Sequence, residues 1–253
     1  MVVGVLGKKS EILSQMKTVV LIPSRLNSTR LPNKALLDIG GLPMVVRVMK
    51  QASKCVDVHA VFVCTDSSEI AFAVENHGGK VVMTSSSHEN GTTRIAEAKE
   101  KIDEFDLYVD VQGDEPFIDP DHISEVIQCH RKYKPDIVLP LLPISESKPS
   151  HVKAVVDVYG RVMYLSRSDI PFKYKKETPY LKHLSIVSFS PEALERYAQL
   201  SMSPLETVEG VELLRAVENG MHVQSTLLDG ASFSIDTPED YEKALNIINE
   251  KTI

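Results

Sequence analysis

The stretch Thr18-Val-Val-Leu-Ile-Pro23, followed by Ser24-Arg25-Leu26-Asn27-Ser28-Thr29-Arg30-Leu31-Pro32-Asn33-Lys34, decides the fold class. Its first six residues form a nearly continuous apolar, β-branched run, as expected of a strand covered on both faces. The polar, cationic remainder places a loop at that strand's carboxyl end. A helix predicted around residues 43–54 completes a first βα unit.

Downstream the unit repeats. Residues 58–66 read as a second strand, with Ser67 and Ser68 placed to cap the next helix. Gly78-Gly79 stops that helix before a third strand at 80–84. A helix over 92–103, a strand over 106–114, a helix over 121–133 and a strand over 136–144 continue the alternation. Repeated βαβ units imply a parallel sheet with helices on both faces.

The pattern then changes. Residues 151–167 predict two strands around a turn at Tyr159-Gly160, and 182–190 a further single strand. Helices over 191–200 and 203–220, a strand over 222–228 and a helix over 237–251 close the chain. The expected class is α/β, a mostly parallel central sheet with helices on both faces plus a β-rich lobe. The expected boundaries are an extension at 1–15 and one domain over 16–253, in segments 16–148, 149–232 and 233–253.

Composition narrows the function. The 253 residues contain no apolar run of the roughly 18 residues that a membrane helix needs. With a net charge of -7 and no block of Lys or Arg, the chain does not read as a nucleic-acid binder. Cys55, Cys64 and Cys129 are scattered and lack CxxC spacing, which argues against a disulfide framework and a zinc site and fits the cytoplasm. The apolar stretch within residues 1–15 is too short for a signal peptide, so these residues read as a loosely held extension.

Three motifs carry candidate chemistry. Arg25, Arg30 and Lys34, with Ser28 and Thr29, stand where an open α/β sheet binds ligands, and cations there suit a polyphosphate. A solvated basic loop explains the same spacing. The loop is neither a GxxxxGK[ST] phosphate loop nor a GxGxxG dinucleotide turn. Asp114, in Gln112-Gly113-Asp114-Glu115-Pro116, is placed either to hold a metal or to serve as a turn residue. Asp236, in Ser234-Ile235-Asp236-Thr237-Pro238-Glu239-Asp240, belongs to a good helix-start sequence, and a capping carboxylate there keeps a free oxygen for metal. Asn90-Gly91-Thr92-Thr93-Arg94 opens a helix, with Thr92 and Arg94 within reach of a base or phosphate.

The motifs IPSRLNSTRLPNKAL, NGTTR, DVQGDEPFI, HVKAVVD, YLSRSDIPF, KHL, SPLETVE and IDTPEDY, over about residues 17–249, together resemble one family. It is that of the 3-deoxy-manno-octulosonate (Kdo) cytidylyltransferases, relatives of the CMP-sialic acid synthetases. The resemblance implies transfer of CMP from CTP to an acidic sugar with Mg²⁺ as cofactor. It assigns Arg25, Ser28, Arg30 and Lys34 to the triphosphate, with Arg30 and Lys34 also catalytic. Pro23, Asn90, Thr92 and Arg94 fall on the nucleotide, Gln112 at the reacting centre, and Asp114 and Asp236 on the metal. Arg167, His183 and Glu212 line the acceptor side. The β-rich lobe becomes an acceptor and dimerisation lobe, with a homodimer formed through residues around 150–190. Three departures stand out: Asn33 replaces a glycine, and Val187 and Leu213 replace a phenol and an amide on the acceptor side.

Overall fold

In the computed structural model, which describes residues 16–26, 28, 31–148 and 150–252, strand β1 (Thr18–Ser24) is buried at every position. It pairs in parallel with β2 (Ala60–Thr65) on one side and β4 (Leu107–Val111) on the other, and β3 (Lys80–Met83) lies parallel beyond β2. Alternate side chains of β1 serve two cores, as a period of two requires. Val20 and Ile22 pack with apolar residues of α1 (Met44–Ala52), α2 (Ser68–Glu75) and α4 (Pro120–Tyr133). Val19 and Leu21 face α3 (Gly91–Lys99) and α5 (Pro191–Gln199). The βα alternation read from the sequence is present, and the helices cover both faces of the sheet.

The sheet does not continue in that simple order. β5 (Ile137–Ile144) runs with β4 but is separated from it by β9 (Ile186–Phe189), antiparallel to both. The described strands form one ten-stranded sheet in the order β3-β2-β1-β4-β9-β5-β8-β6-β7, with β10 (Val223–Leu227) parallel to β5 on its other edge. β8 (Tyr180–His183) and β9 replace the single strand expected over 182–190. His183 registers with Leu141 and Ser188 with Val138, so five residues of one segment span three of β5. The excess bulges at Leu184-Ser185. Across the bulge the segment changes neighbours, from β6 (Lys153–Val156) beside β8 to β4 beside β9. The sheet forks there, and Gln112 N–H donates to the Ser185 carbonyl at 3.1 Å as β4 leaves.

The far edge curls back on itself. β6 and β7 (Val162–Ser166) form the expected hairpin, whose Gly160 carbonyl accepts from Ser225 N–H of β10 at 2.8 Å. Gly160 has φ +79°, a left-handed conformation that favours glycine.

A second correction concerns the helix expected over 203–220. It is two helices, α6 (Pro204–Glu209) and α7 (Leu214–Glu218), separated at Gly210, which takes the left-handed conformation with φ +61°. Arg215 donates to both Glu206 oxygens at 2.8 and 2.7 Å, folding the short helices against each other. The break leaves Val211-Glu212-Leu213 in a turn. Finally, Ala244 of α8 (Pro238–Thr252) and Ile235 just before it pack onto Leu31, Ile39 and Met44, returning the C-terminal segment to the first loop.

Candidate active site

Three loops at the carboxyl ends of parallel strands meet around a cavity of about 460 Å³. After β1, Pro23, Ser24, Arg25 and Ser28 line one wall. Asn33 then takes the left-handed conformation, φ 53°, and starts a single 3₁₀ turn over Lys34–Leu36. Asparagine enters that region more readily than other residues with a side chain, which explains why it can stand where the resembling family has glycine. The turn aims Lys34 inward. Arg30 and residues 1–15 lie outside the described residues.

Asp114 follows β4 through Gly113, whose added Cβ would lie 3.2 Å from the Pro23 carbonyl oxygen, so the two loops are nearly in contact. Asp236 is brought alongside by the donation of Ile235 N–H to the Asp114 carbonyl, at 3.0 Å. Asp240 accepts from Thr237 N–H at 3.1 Å, and its own N–H donates to Thr237 Oγ1 at 3.2 Å. This reciprocal cap takes over the start of α8, and the Asp236 carboxylate turns to the cavity. Lys34 Nζ donates to Asp114 Oδ2 at 2.7 Å and to Asp236 Oδ1 at 3.1 Å. Burial pulls the ammonium pKa down, but the two carboxylates outweigh it and the net shift is upward.

Asn90 caps α3 by accepting from Thr93 N–H at 2.9 Å, and Asn90 and Gly91 put the positive end of that helix on the cavity. A side chain at Gly91 would crowd Gln112 Nε2 and Pro23 Cγ, each at 3.1 Å. Arg94 lines the cavity yet is buried, donating to Thr84 Oγ1 at 2.7 Å and pairing with Asp66 at 3.3 Å. It ties together the ends of β2 and β3. Thr92 lies just behind the wall, its hydroxyl donating to Glu212 at 3.2 Å. Glu212 lines the cavity, and burial raises its pKa.

The structure thus gathers Pro23, Arg25, Ser28, Lys34, Asn90, Arg94, Gln112, Asp114, Glu212 and Asp236 around one space. It does not bring Arg167 or His183 to that wall. Arg167 is exposed and donates to the Glu209 and Gly210 carbonyls at 2.9 and 3.1 Å. His183 sits in β8, with its pKa pushed down to about 4 by burial. Val187 and Leu213 are buried in the core around α3 and α5 rather than on the cavity wall. Four residues near the site were not singled out from the sequence: Ser24, His88, Glu89 and Asp110. The signal for Asp110 was strand period, since positions 110 and 112 point to the same face.

Among the described residues no group of three or more His, Cys, Asp or Glu could hold a metal. Two carboxylates far apart in the chain nevertheless converge on one ammonium, so the pair accepts a shared positive charge. Magnesium commonly takes only one or two protein carboxylates, leaving its other positions to water and phosphate.

Charge placement sets the class. A cationic loop at the carboxyl end of β1, whose lysine meets two converging carboxylates beside a cavity, fits a nucleotidyltransferase. The cytidylyltransferase family profile matches residues 19–223. The 3-deoxy-manno-octulosonate cytidylyltransferase of Pelodictyon phaeoclathratiforme is 41% identical over 92% of this chain and 98% of its own. Its namesake from Parabacteroides distasonis is 39% identical over 91% and 97%. The solved structure of a CMP:2-keto-3-deoxy-manno-octonic acid synthetase complexed with CTP superposes with a TM-score of 0.89 at 36% identity, covering 93% of this chain and 99% of that one. A 4-diphosphocytidyl-2C-methyl-D-erythritol synthase from Anaerococcus prevotii shares the fold alone, at 13% identity and a TM-score of 0.63. The chain belongs to the 3-deoxy-manno-octulosonate cytidylyltransferase family.

Proposed function

We propose that the protein joins CMP from CTP to Kdo, releasing pyrophosphate. The observation that carries this reading is the Lys34 ammonium held between Asp114 and Asp236 at the end of the nucleotide-side loop, in a chain about 40% identical to enzymes of that name. The anomeric hydroxyl of the sugar attacks the α-phosphorus in line; the new O–P bond forms as the bond to pyrophosphate breaks, and the hydroxyl proton is released. Catalysis is then mostly positioning and charge neutralisation.

Each residue's part is taken from the family resemblance, which the cavity lining supports for the residues it contains. Arg25, Ser28 and Lys34 hold triphosphate oxygens, joined by Arg30 of the same loop. Pro23, Asn90 and the start of α3 seat the nucleotide, Thr92 and Arg94 shape that wall from behind, and Gln112 and Glu212 face the acceptor. Arg167 and His183 take part on the acceptor side from outside the cavity wall. Asp114 and Asp236 would hold the magnesium ion that the reaction needs. When bound, that ion supplies positive charge against the phosphate oxygens. Val158, Tyr159, Met163, Phe172 and Tyr174 are all exposed, and this apolar surface within residues 150–190 supports a homodimer formed there. No helix among the described residues is long and apolar enough to cross a membrane, and the three cysteines are free and buried, which suits the cytoplasm.

The test is pyrophosphate release from CTP with Kdo and with other sugar acids, in magnesium and in excess chelator. Turnover with CTP and Kdo that the chelator abolishes supports the reading. Equal turnover with ATP or GTP, or none with any sugar acid, overturns it.

A further inference from the structure

Beneath the cavity lies a carboxylate to which the reaction above gives no part. Asp110 is the penultimate residue of β4, 3% exposed, between Leu21 of β1 and Val187 of β9. Its only described hydrogen-bonding neighbour is the Gln112 side chain, whose Nε2 stands 3.0 Å from both carboxyl oxygens. Gln112 itself lines the cavity. We propose that Asp110 is a positioning residue for the transfer: it grips the Gln112 amide by its nitrogen and so turns the amide oxygen, an acceptor, toward the sugar.

The surroundings fit this role. A glutamine amide offers two donors on one arm and an acceptor on the other, and free rotation would present either. Anchoring the nitrogen settles the choice. Gly91 leaves the amide room, because a Cβ there would sit 3.1 Å from Nε2. Glu212, which also faces Asp110, is itself fixed by the Thr92 hydroxyl at 3.2 Å and by Tyr197 Oη on its carbonyl at 3.0 Å. The acceptor wall is thus held from behind at two points. Burial, with Glu212 nearby, pushes the Asp110 carboxyl well above its ordinary range. An isosteric asparagine keeps an acceptor oxygen at the same place and should do the same work.

The proposal rests on the cytidylyltransferase reading, and the experiment separates the two. Steady-state constants for CTP and Kdo are measured on the full chain for wild type, Asp110→Ala, Gln112→Ala, the double variant and Asp110→Asn. Asp110→Ala should lower kcat/KM for the sugar by roughly 10- to 100-fold, with the KM for CTP within about 3-fold, as a misplaced contact group does. In the Gln112→Ala background the same change should cost less than about 3-fold, because the residue acts through the amide already removed. Asp110→Asn should recover most of the loss. If Asp110→Ala lacks a cooperative melt, Asp110→Ser is read in its place. An equal penalty in both backgrounds, or an asparagine variant as damaged as the alanine one, overturns the proposal. Wild type that releases no pyrophosphate overturns the reaction instead.

Discussion

At the scale of single residues, Lys34 is the most consequential. Its ammonium occupies the position between Asp114 and Asp236, and a tethered cation has a very high local concentration. Any free divalent ion that binds without nucleotide must exchange against it. Lys34→Met should therefore bind Mn²⁺ more tightly than wild type in the absence of CTP, by about tenfold or more, while cutting kcat by at least about 10²-fold. Electron paramagnetic resonance titration reads the first effect and pyrophosphate release the second; unchanged Mn²⁺ affinity would contradict the exchange. His130 governs a different property. Buried against Ser188 Oγ at 2.9 Å, it has its pKa lowered to about 4 by burial. The folded state therefore favours neutral imidazole, and the stability this gives is complete above pH 6.5. It is lost as the pH falls toward 4, because the unfolded chain takes up the proton first. The loss is on the order of 3 kcal/mol for one such histidine. His130→Gln should flatten the fall in melting temperature between pH 6.5 and 4; a slope equal to wild type would refute this.

At the scale of elements, the turn that delivers Lys34 depends on a left-handed Asn33. Asn33→Ala should cost about 1 kcal/mol and Asn33→Gly close to nothing, since only the Cβ is penalised there. Thermal melts of the two variants should separate by about 2 °C, and coincident melts would show that the turn is not strained. This element also shows what the sequence could reveal. β1, β2 and the helix caps at Ser67 and Asn90 were legible because apolar runs and capping side chains act locally. The motifs around Asp114 and Asp236 were visible too, the first just beyond β4 and the second in the segment between β10 and α8. Invisible was the insertion of β9 between β4 and β5, which depends on pairings between distant residues, whereas the break at Gly210 is a local left-handed stop inside a helix-favouring stretch. The acceptor-side positions Val187 and Leu213 could not be placed either. Their apolar character suits a core as well as a cavity wall, and only the packing shows that they belong to the core.

At the scale of the whole molecule, nucleotide side and β-rich edge share one segment, β8 and β9, with β9 on β4 and β8 on β6. A chain made from its N-terminus therefore completes β4 and β5 long before the strand that belongs between them exists. Until residue 189 has left the ribosome the growing sheet has a slot, with unpaired edges on both sides and apolar faces only half covered. The fold is consequently a late one. Nascent chains halted at 148 or 180 should be cut rapidly by protease, whereas chains carrying α5 and β10 should resist it. Equal resistance at 148 would mean that the first half stands by itself. Such a slot also accepts strands other than its own. Released fragments ending before 186 should associate with one another, or with a synthetic peptide spanning 180–190, before the full-length chain does either.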